Sequence, residues 1–262
     1  MKYFDAHCHI QFPQYDEDRD AVLAAMREAE VGALIVGTDS AHSKGAVDLA
    51  DGETLFAAVG LHPNDKPSEG YDDAYYAELA ADSRVVAIGE CGLDYYRPDD
   101  PEAEKARQKD VFARHIELAV ATDKPLMIHA RPSKRSMDAY QDAASMLEEA
   151  QRIHGKKVRG NMHFYVGDIE TTQRFLALDF TFSFTAVLTF ARDYDEVVRF
   201  LPLASILTET DSPYIAPAAR RGQRNDPLSV KDVVAKLAEI REVDEEEVRE
   251  AVLGNARRLF GL

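Results

Sequence analysis

Two histidines separated by one residue, His7 and His9, are the first side chains whose types and spacing suggest chemistry. They come at the end of a short apolar run that predicts a β-strand over residues 3–7. Alternate residues of a strand share one face, so the two imidazoles can bind the same metal ion while Cys8 points to the opposite side. Taken alone, this motif is equally compatible with two ordinary polar residues at a strand end.

Other side chains of metal-ligand type follow later apolar runs in the same way. Glu90, His129, His163 and Asp211 end or directly follow strands predicted over residues 85–90, 126–129, 158–163 and 206–210. Each carboxylate, considered singly, is also explained as a solvated strand end, a turn residue or a helix cap. Together with His7 and His9, the four residues predict one site built from six ligand-type side chains.

The other four histidines divide into two groups. His62 directly follows a strand predicted over residues 55–60, so we expect it on the same rim as the six candidate ligands. His42, His115 and His154 lie inside or at the end of predicted helices, and we predict them to be surface residues.

The elements that must position these side chains alternate between short apolar runs and longer charged segments with helical periodicity, which is typical of parallel βα units. The eight predicted strands cover residues 3–7, 33–37, 55–60, 85–90, 126–129, 158–163, 180–184 and 206–210. Helices are predicted over 16–30, 42–49, 73–80, 103–121, 136–152, 169–178, 194–200, 230–240 and 245–253, with a final turn at 255–260.

Eight βα units in 262 residues favour an α/β fold of the (β/α)8 TIM-barrel type, with an open doubly wound sheet as the alternative. In a barrel, all strand carboxyl ends open on the face where active sites lie, so the six candidate ligands would converge there. No repeat or linker divides the sequence, and one domain over residues 1–262 is predicted. Its longest irregular loop is expected at 213–227, where three prolines and a glycine interrupt any helix.

Composition and charge exclude several classes of protein. With 47 acidic against 31 basic residues, the formal net charge is -16, which disfavours a protein that coats nucleic acid or binds anionic membranes. No apolar run has the length of a membrane span and no secretory leader is evident, so a cytoplasmic location is predicted. Cys8 and Cys91 cannot form a disulfide framework and are interpreted as small buried hydrophobic residues. The P-loop, dinucleotide-binding and serine-hydrolase motifs are absent from the sequence.

Four histidines and two carboxylates exceed what one tetrahedral structural zinc uses, and they suit a site for two divalent ions with open coordination positions. Two such ions can activate a water molecule and stabilise charge on a phosphoryl or carbonyl group, so the predicted chemistry is hydrolysis. The ligand set is compatible with Mg, Mn or Zn.

The sequence also resembles the TatD-type metal-dependent hydrolases, a branch of the amidohydrolase-like barrels associated with deoxyribonuclease activity. The resemblance extends nearly from end to end. It is carried by residues 5–9 (DAHCH), 60–63 (GLHP), 88–95 (IGECGLDY), 128–131 (IHAR), 163–164 (HF), 208–214 (TETDSPY), 221–225 (RGQRN) and 255–260 (NARRLF).

This resemblance implies a role for each candidate residue. His7 and His9 with Asp211 would hold one metal ion, His129 and His163 would hold the second, and Glu90 would bridge them. Asp211 would also be the general base. His62 and Arg131 match rim positions suited to contact a substrate phosphate. The sequence departs from the family pattern after His129 and after His163, beside the ligands, which affects the expected substrate preference and leaves the metal set intact.

Two basic clusters follow ligand-bearing strands of this acidic protein. They consist of Arg131, Lys134 and Arg135 after the fifth strand, and Arg220, Arg221 and Arg224 after the eighth. Either they are scattered solvated charges or they make the rim locally cationic, which suits bidentate phosphate binding by Arg, and we take Arg221 as a substrate contact.

The sequence therefore predicts a divalent-metal phosphodiesterase that acts on DNA or oligonucleotide ends, with no obligatory protein partner. A 3′-to-5′ direction is implied by the resemblance alone. Two alternatives stay open: hydrolysis of a small ester, lactone or cyclic amide by the same centre, and a metal-holding interaction module without catalysis.

Overall fold

The computed structural model describes residues 1–65, 70–96 and 101–262. Its eight parallel strands form one sheet in sequential order, β1 to β8, which is barrel order and not the reversed order of a doubly wound sheet. The strands are β1 Tyr3–Cys8, β2 Val31–Val36, β3 Leu55–Val59, β4 Val85–Asp94, β5 Leu126–Arg131, β6 Gly160–Met162, β7 Thr181–Phe184 and β8 Ile206–Thr208. The predicted (β/α)8 TIM-barrel fold is confirmed.

The sheet closes where the chain beyond β8 meets the end of β1. Cys8 and Ser212 form a parallel bridge, and the His9 amide donates a hydrogen bond of 2.8 Å to the Ser212 carbonyl. The Asp211 amide donates to the His7 carbonyl at 3.0 Å. Closure therefore places the last predicted ligand directly beside the first two.

Helices α1 to α9 surround the barrel. They are α1 Arg19–Glu28, α2 Ser40–Leu49, α3 Asp73–Ala80, α4 Pro101–Thr122, α5 Asp138–His154, α6 Ile169–Ala177, α7 Asp195–Phe200, α8 Val230–Arg241 and α9 Glu245–Phe260. The break predicted between 253 and 255 is wrong, because α9 is continuous. Several helices begin at an aspartate whose carboxylate accepts a backbone N–H of the first turn, as Asp39 does for α2 and Asp168 for α6.

Buried side chains form two layers. The larger cluster lies between strands and helices, and the smaller one contains alternate strand residues such as Phe4, Leu34 and Phe56. Phe260 of α9 packs against Phe4 with ring centroids 6.1 Å apart, so the last helix contributes to the smaller cluster. Apolar contacts thus fill the part of the barrel below the candidate ligands. Among the described residues, no helix is long and apolar enough to cross a membrane.

The alternation of side chains along β1 changes just before the predicted ligands. Phe4 and Ala6 belong to the smaller, inner cluster, whereas Cys8 belongs to the outer one. The pairing of β1 with β2 is irregular between Asp5 and Cys8, and such irregularities re-aim the side chains that follow. Both His7 and His9 consequently face the inside of the barrel.

Candidate metal centre

The structure brings all six predicted ligands together at the carboxyl ends of the strands. Two of them lie inside strands longer than predicted, since β4 continues past Glu90 to Asp94 and β5 continues past His129 to Arg131. A cavity of about 710 Å³ opens above them and is lined by residues that include His9, Glu90, His129, His163 and Asp211.

Glu90 lies at the centre of the site, and its two carboxylate oxygens face different histidines. Oε2 is 3.4 Å from His7 Nε2 and 3.8 Å from His9 Nε2. Oε1 is 3.0 Å from His129 Nδ1 and 3.7 Å from His163 Nε2. Each oxygen of this carboxylate therefore faces its own pair of imidazole nitrogens.

Asp211 stands on the solvent side of this arrangement. Its Oδ1 is 3.5 Å from His9 Nε2 and 4.0 Å from His163 Nε2, and 14% of its side chain is exposed. The residue has a positive φ of 52°, in the left-handed region that aspartate tolerates better than most residues. Asp211 thus touches both pairs of histidines and faces the cavity.

Several groupings of these atoms have the spacing of metal ligands. His7, His9 and Asp211 form one set, and His7, Glu90 and His163 form another, each with ligand atoms within 4.8 Å of one another. The ligand atoms of a third set, His62, Asp94 and His129, also lie within 4.8 Å of one another. The imidazole and carboxylate donors suit a divalent cation of the Zn or Mn type.

Electrostatics also fit a cation at this position. Both nitrogens of His129 face carboxylate oxygens, Nδ1 facing Glu90 at 3.0 Å and Nε2 facing Asp94 at 3.1 Å. Burial opposes protonation, but the hydrogen bonds to Asp94 and Glu90 outweigh it and raise the pKa of His129 to about 9. Without a metal, the ring must carry a second proton to satisfy both neighbours, and a cation beside Nδ1 would take the place of that proton.

The pKa of His163 is raised like that of His129, whereas the pKa of His7 is lowered. Burial by itself would lower the pKa of His163. The negative charge of Glu209 and the hydrogen bond to it have the larger effect and raise this pKa to about 10. Burial lowers the pKa of His7 to about 3, with a further contribution from the neighbouring His163. In the described part of the chain, the buried Nδ1 of His7 finds no hydrogen-bond partner.

His62 reaches the centre from the loop after β3. Its Nδ1 accepts a hydrogen bond of 3.1 Å from the Asn64 amide, so the proton of the neutral ring lies on Nε2. That Nε2 is 3.7 Å from Glu90 Oε1. Burial lowers the pKa of His62 to about 4, which keeps the ring neutral at physiological pH. The structure therefore places His62 on the rim, as predicted, with an N–H group available as a donor.

The basic cluster after β8 is less cationic than predicted, because two of its three arginines have an acidic partner. Arg220 Nη1 lies 2.9 Å from Asp226 Oδ2, and Arg224 Nη2 lies 2.6 Å from Asp18 Oδ2. Exposed Arg131 lies 4.0 Å above the ring of Tyr96 and lines the cavity.

Arg221 is likewise exposed, and its guanidinium lies 3.9 Å above the ring of Phe190. Lys134 and Arg135 are exposed as well. The prediction of six available charges is corrected for Arg220 and Arg224, each of which has an acidic partner.

Two further expectations concerned residues away from the centre. The prediction that His115 is a surface residue is wrong, since its side chain is fully buried and its Nε2 accepts the Leu61 amide at 3.0 Å. His42 and His154 are partly exposed. Cys8 and Cys91 are free and buried in the outer cluster, in agreement with their interpretation as small hydrophobic residues.

The structure also reveals supporting residues that the sequence reasoning missed. Asp94 and Glu209 contact the outer nitrogens of His129 and His163. Asp5 accepts hydrogen bonds from the amide and hydroxyl groups of Thr210 at 2.8 and 2.5 Å, which joins β1 to the segment that carries Asp211. All three acids lie in the segments that carry the family resemblance, which was the available signal.

A closed parallel barrel whose mouth gathers imidazoles and carboxylates around one central glutamate defines the class of metal-dependent barrel hydrolases.

Comparisons with known proteins give the family. The sequence profile of a family described as TatD related DNase matches residues 4–261. A Bacillus subtilis (strain 168) protein described as the uncharacterized metal-dependent hydrolase YabD is 36% identical over 262 residues, covering 98% of each chain. The Escherichia coli (strain K12) protein described as the uncharacterized metal-dependent hydrolase YcfH is 34% identical over 267 residues, covering 99% of this chain and 96% of its own.

Solved structures agree with this assignment. The crystal structure of YjjV, a TatD homologue from Escherichia coli K12, is similar with a TM-score of 0.85 at 30% identity, covering 100% of this chain and 98% of its own. A dihydroorotase from Campylobacter jejuni has a TM-score of 0.61 at 13% identity, covering 99% of this chain and 83% of its own, and shares the fold alone. The chain belongs to the TatD-related DNase family, a family of metal-dependent hydrolases.

Proposed function

We propose that this protein is a phosphodiesterase with two divalent metal ions that removes nucleotides from an accessible DNA strand end or from short oligonucleotides. The observation that carries the proposal is the position of Glu90, whose two oxygens face His7 and His9 on one side and His129 and His163 on the other. A carboxylate placed so is suited to bridge two cations.

The residues then divide into two ligand sets. His7, His9 and Asp211 would hold one ion, His129 and His163 the other, and Glu90 both. When bound, the two ions would lower the pKa of a water molecule and neutralise charge that develops on the phosphoryl oxygens. The identity of the ions, Mg, Mn or Zn, is left to the experiment below.

Proton transfer is assigned to Asp211. Its carboxylate lines the cavity with 14% of the side chain exposed, and its Oδ1 lies 3.5 Å from His9 Nε2, so it touches both the ligand set and the space for water. A general base must lie within hydrogen-bond reach of the proton that it accepts. His62 also lines the cavity and supplies a neutral N–H donor, suited to a phosphoryl oxygen or a leaving oxygen of the substrate.

The rim supports an anionic and partly aromatic substrate. Arg131 and Arg221 are exposed and carry no carboxylate partner among the described contacts; Arg131 lines the cavity, and Arg221 lies in the segment after β8. Tyr214, three residues after Asp211, lines the cavity with 49% of its surface exposed. Arginine binds phosphates and exposed aromatic rings stack on unpaired bases, so an unpaired strand end fits better than a duplex.

A second candidate function is hydrolysis of a small ester, lactone or cyclic amide. The apolar side chains of Phe12, Val187 and Ile215 on the cavity wall favour it, because they would suit a compact neutral substrate. The exposed arginines favour the phosphodiester.

Hydrolysis of end-labelled single-stranded DNA tests the proposal. Chelator-stripped protein receives Mg, Mn or Zn, and Asp211→Asn is compared with the wild type. The matched control is Asp51→Asn, whose carboxylate accepts backbone N–H groups of Thr54 and Leu55 ahead of β3, at the other end of the barrel. We expect metal-dependent release from the strand end that Asp211→Asn lowers at least a hundredfold and Asp51→Asn leaves unchanged. Absence of release with every metal, from protein that holds two ions, would contradict the proposal and favour the neutral substrate.

A further inference from the structure

The four histidines of the candidate metal centre differ in the hydrogen-bond partner of the ring nitrogen that faces away from the centre. His9 Nδ1 lies 2.8 Å from the Val36 carbonyl, a neutral partner. His7 Nδ1 has no hydrogen-bond partner in the described part of the chain. The outer nitrogens of His129 and His163, in contrast, each meet a buried carboxylate.

The carboxylate behind His129 is Asp94, and it is held in place from several sides. Its Oδ2 is 3.1 Å from His129 Nε2 and accepts a hydrogen bond of 2.8 Å from Asn64 Nδ2. Its Oδ1 accepts the Tyr96 amide at 3.0 Å. Gln108 binds both main-chain groups of Asp94, at 2.8 and 3.0 Å. The carboxylate therefore has a fixed position relative to the imidazole.

The carboxylate behind His163 is Glu209, which is fully buried. Its Oε2 is 3.0 Å from His163 Nδ1 and accepts a hydrogen bond of 2.5 Å from Ser183 Oγ. Its Oε1 accepts the Phe164 amide at 2.6 Å. The arrangement repeats that around Asp94 directly after a different strand, β8, and it uses Nδ1 of His163 where that around Asp94 uses Nε2 of His129.

An imidazole that donates one N–H to a carboxylate keeps its other nitrogen free as a lone pair. For His129 this leaves Nδ1, and for His163 it leaves Nε2. Both of these nitrogens face Glu90 Oε1, at 3.0 and 3.7 Å. Carboxylates behind metal-bound histidines fix ring orientation and raise ligand basicity.

We propose that Asp94 and Glu209 are positioning residues, which direct the lone pairs of His129 and His163 at one shared cation beside Glu90 Oε1. The inference rests on the metal centre of the proposed function and does not depend on the substrate. Among the described residues, the outer nitrogens of His7 and His9 contact no carboxylate. Only one of the two ion positions therefore has histidine ligands that are held by carboxylates.

The set His62, Asp94 and His129 offers a competing interpretation, in which Asp94 is itself a ligand of a third ion. The hydrogen bond from the Asn64 amide to His62 Nδ1 argues against it, because it places the proton of His62 on the Nε2 that would have to bind the ion. Asp94 Oδ2 is also already shared between Asn64 and His129.

Calorimetric titration of chelator-stripped protein with Co²⁺, combined with the visible absorption of bound Co²⁺, distinguishes these possibilities without measuring activity. The variants are Asp94→Asn and Glu209→Gln, with Asp51→Asn as the control. We expect each of the two variants to bind the same number of ions as the wild type, with one ion weakened about 10- to 100-fold and its absorption changed, and the other ion unaffected.

Each other outcome refutes a specific statement. Loss of one ion from the stoichiometry of Asp94→Asn, with the remaining ions unweakened, would show that Asp94 is a ligand. Unchanged affinities in both variants would refute the positioning role alone, whereas a wild type that binds no Co²⁺ would refute the metal centre itself. If Glu209→Gln does not fold, Ser183→Ala removes one hydrogen bond from the intact carboxylate and is expected to weaken the same ion to a smaller extent.

Discussion

The burial of His115 makes a prediction about acid stability that the sequence did not suggest. This residue lies on α4, its Nδ1 donates to the Val111 carbonyl at 2.8 Å, and its Nε2 accepts from the Leu61 amide at 3.0 Å. Because Nε2 is an acceptor, the ring must be neutral in the native state. Burial lowers the pKa of His115 from 6.5 to about 4, against the smaller effect of the hydrogen bond to Val111.

The sign of the effect follows from proton linkage. Between pH 6.5 and about 4 the unfolded chain binds a proton at this residue and the native protein does not. The contribution of His115 to stability is therefore complete above pH 6.5 and is lost as the pH falls toward 4. The difference between the two pKa values corresponds to about 3 kcal/mol of unfolding free energy.

Substitution of His115 by Leu removes the titration and leaves the Leu61 amide unpaired. We expect the variant to be less stable than the wild type by about 2 kcal/mol at pH 7.5, the usual cost of a buried unpaired donor. As the pH is lowered to 4.5, the wild type should lose about 2.5 kcal/mol through this titration, which removes the whole advantage, while the variant does not change at this position.

Urea unfolding of chelator-stripped protein, followed by circular dichroism because the chain contains no Trp, measures the difference at several pH values. His154→Leu is the control, since His154 is partly exposed at the end of α5. The metal-site histidines titrate in both proteins, so their effect cancels in the difference between the two unfolding free energies. A gap between wild type and His115→Leu that is constant from pH 7.5 to 4.5 would refute the reasoning.

Three further predictions concern the rim. Arg221→Ala should weaken binding of a single-stranded oligonucleotide and lower the slope of log affinity against log salt concentration by about one. Arg224→Ala should change neither quantity, because Arg224 is paired with Asp18. Fluorescence anisotropy at several salt concentrations measures both. Tyr214→Ala should weaken binding of the same oligonucleotide by about 1–3 kcal/mol and leave binding of an abasic strand of equal charge unchanged, in the same assay. Asn225→Ala removes two hydrogen bonds of 3.2 Å to the carbonyls that flank the turn after Asp211, and should cost about 1–3 kcal/mol in urea unfolding.

The sequence by itself determined which residues compose the centre. Residues such as His7 and Asp211 follow apolar runs, and a barrel brings all strand ends to one face, so eight runs of this type were enough to predict the fold and the meeting of the six side chains. Local pattern also predicted that Cys8 would point away from His7 and His9, because neighbouring strand residues face opposite sides, whereas the inward direction of both histidines depends on the irregular pairing of β1 with β2.

Only the tertiary structure decided how the centre is supported. The partners of His129 and His163 lie 35 and 46 residues away in the chain, and the bond from His115 to Leu61 spans 54 residues. Pairings at such separations depend on how the strands and helices pack, which periodicity does not encode. The same reason explains Arg224, whose charge was predicted to be available and is paired with Asp18, a residue 206 positions earlier in the chain.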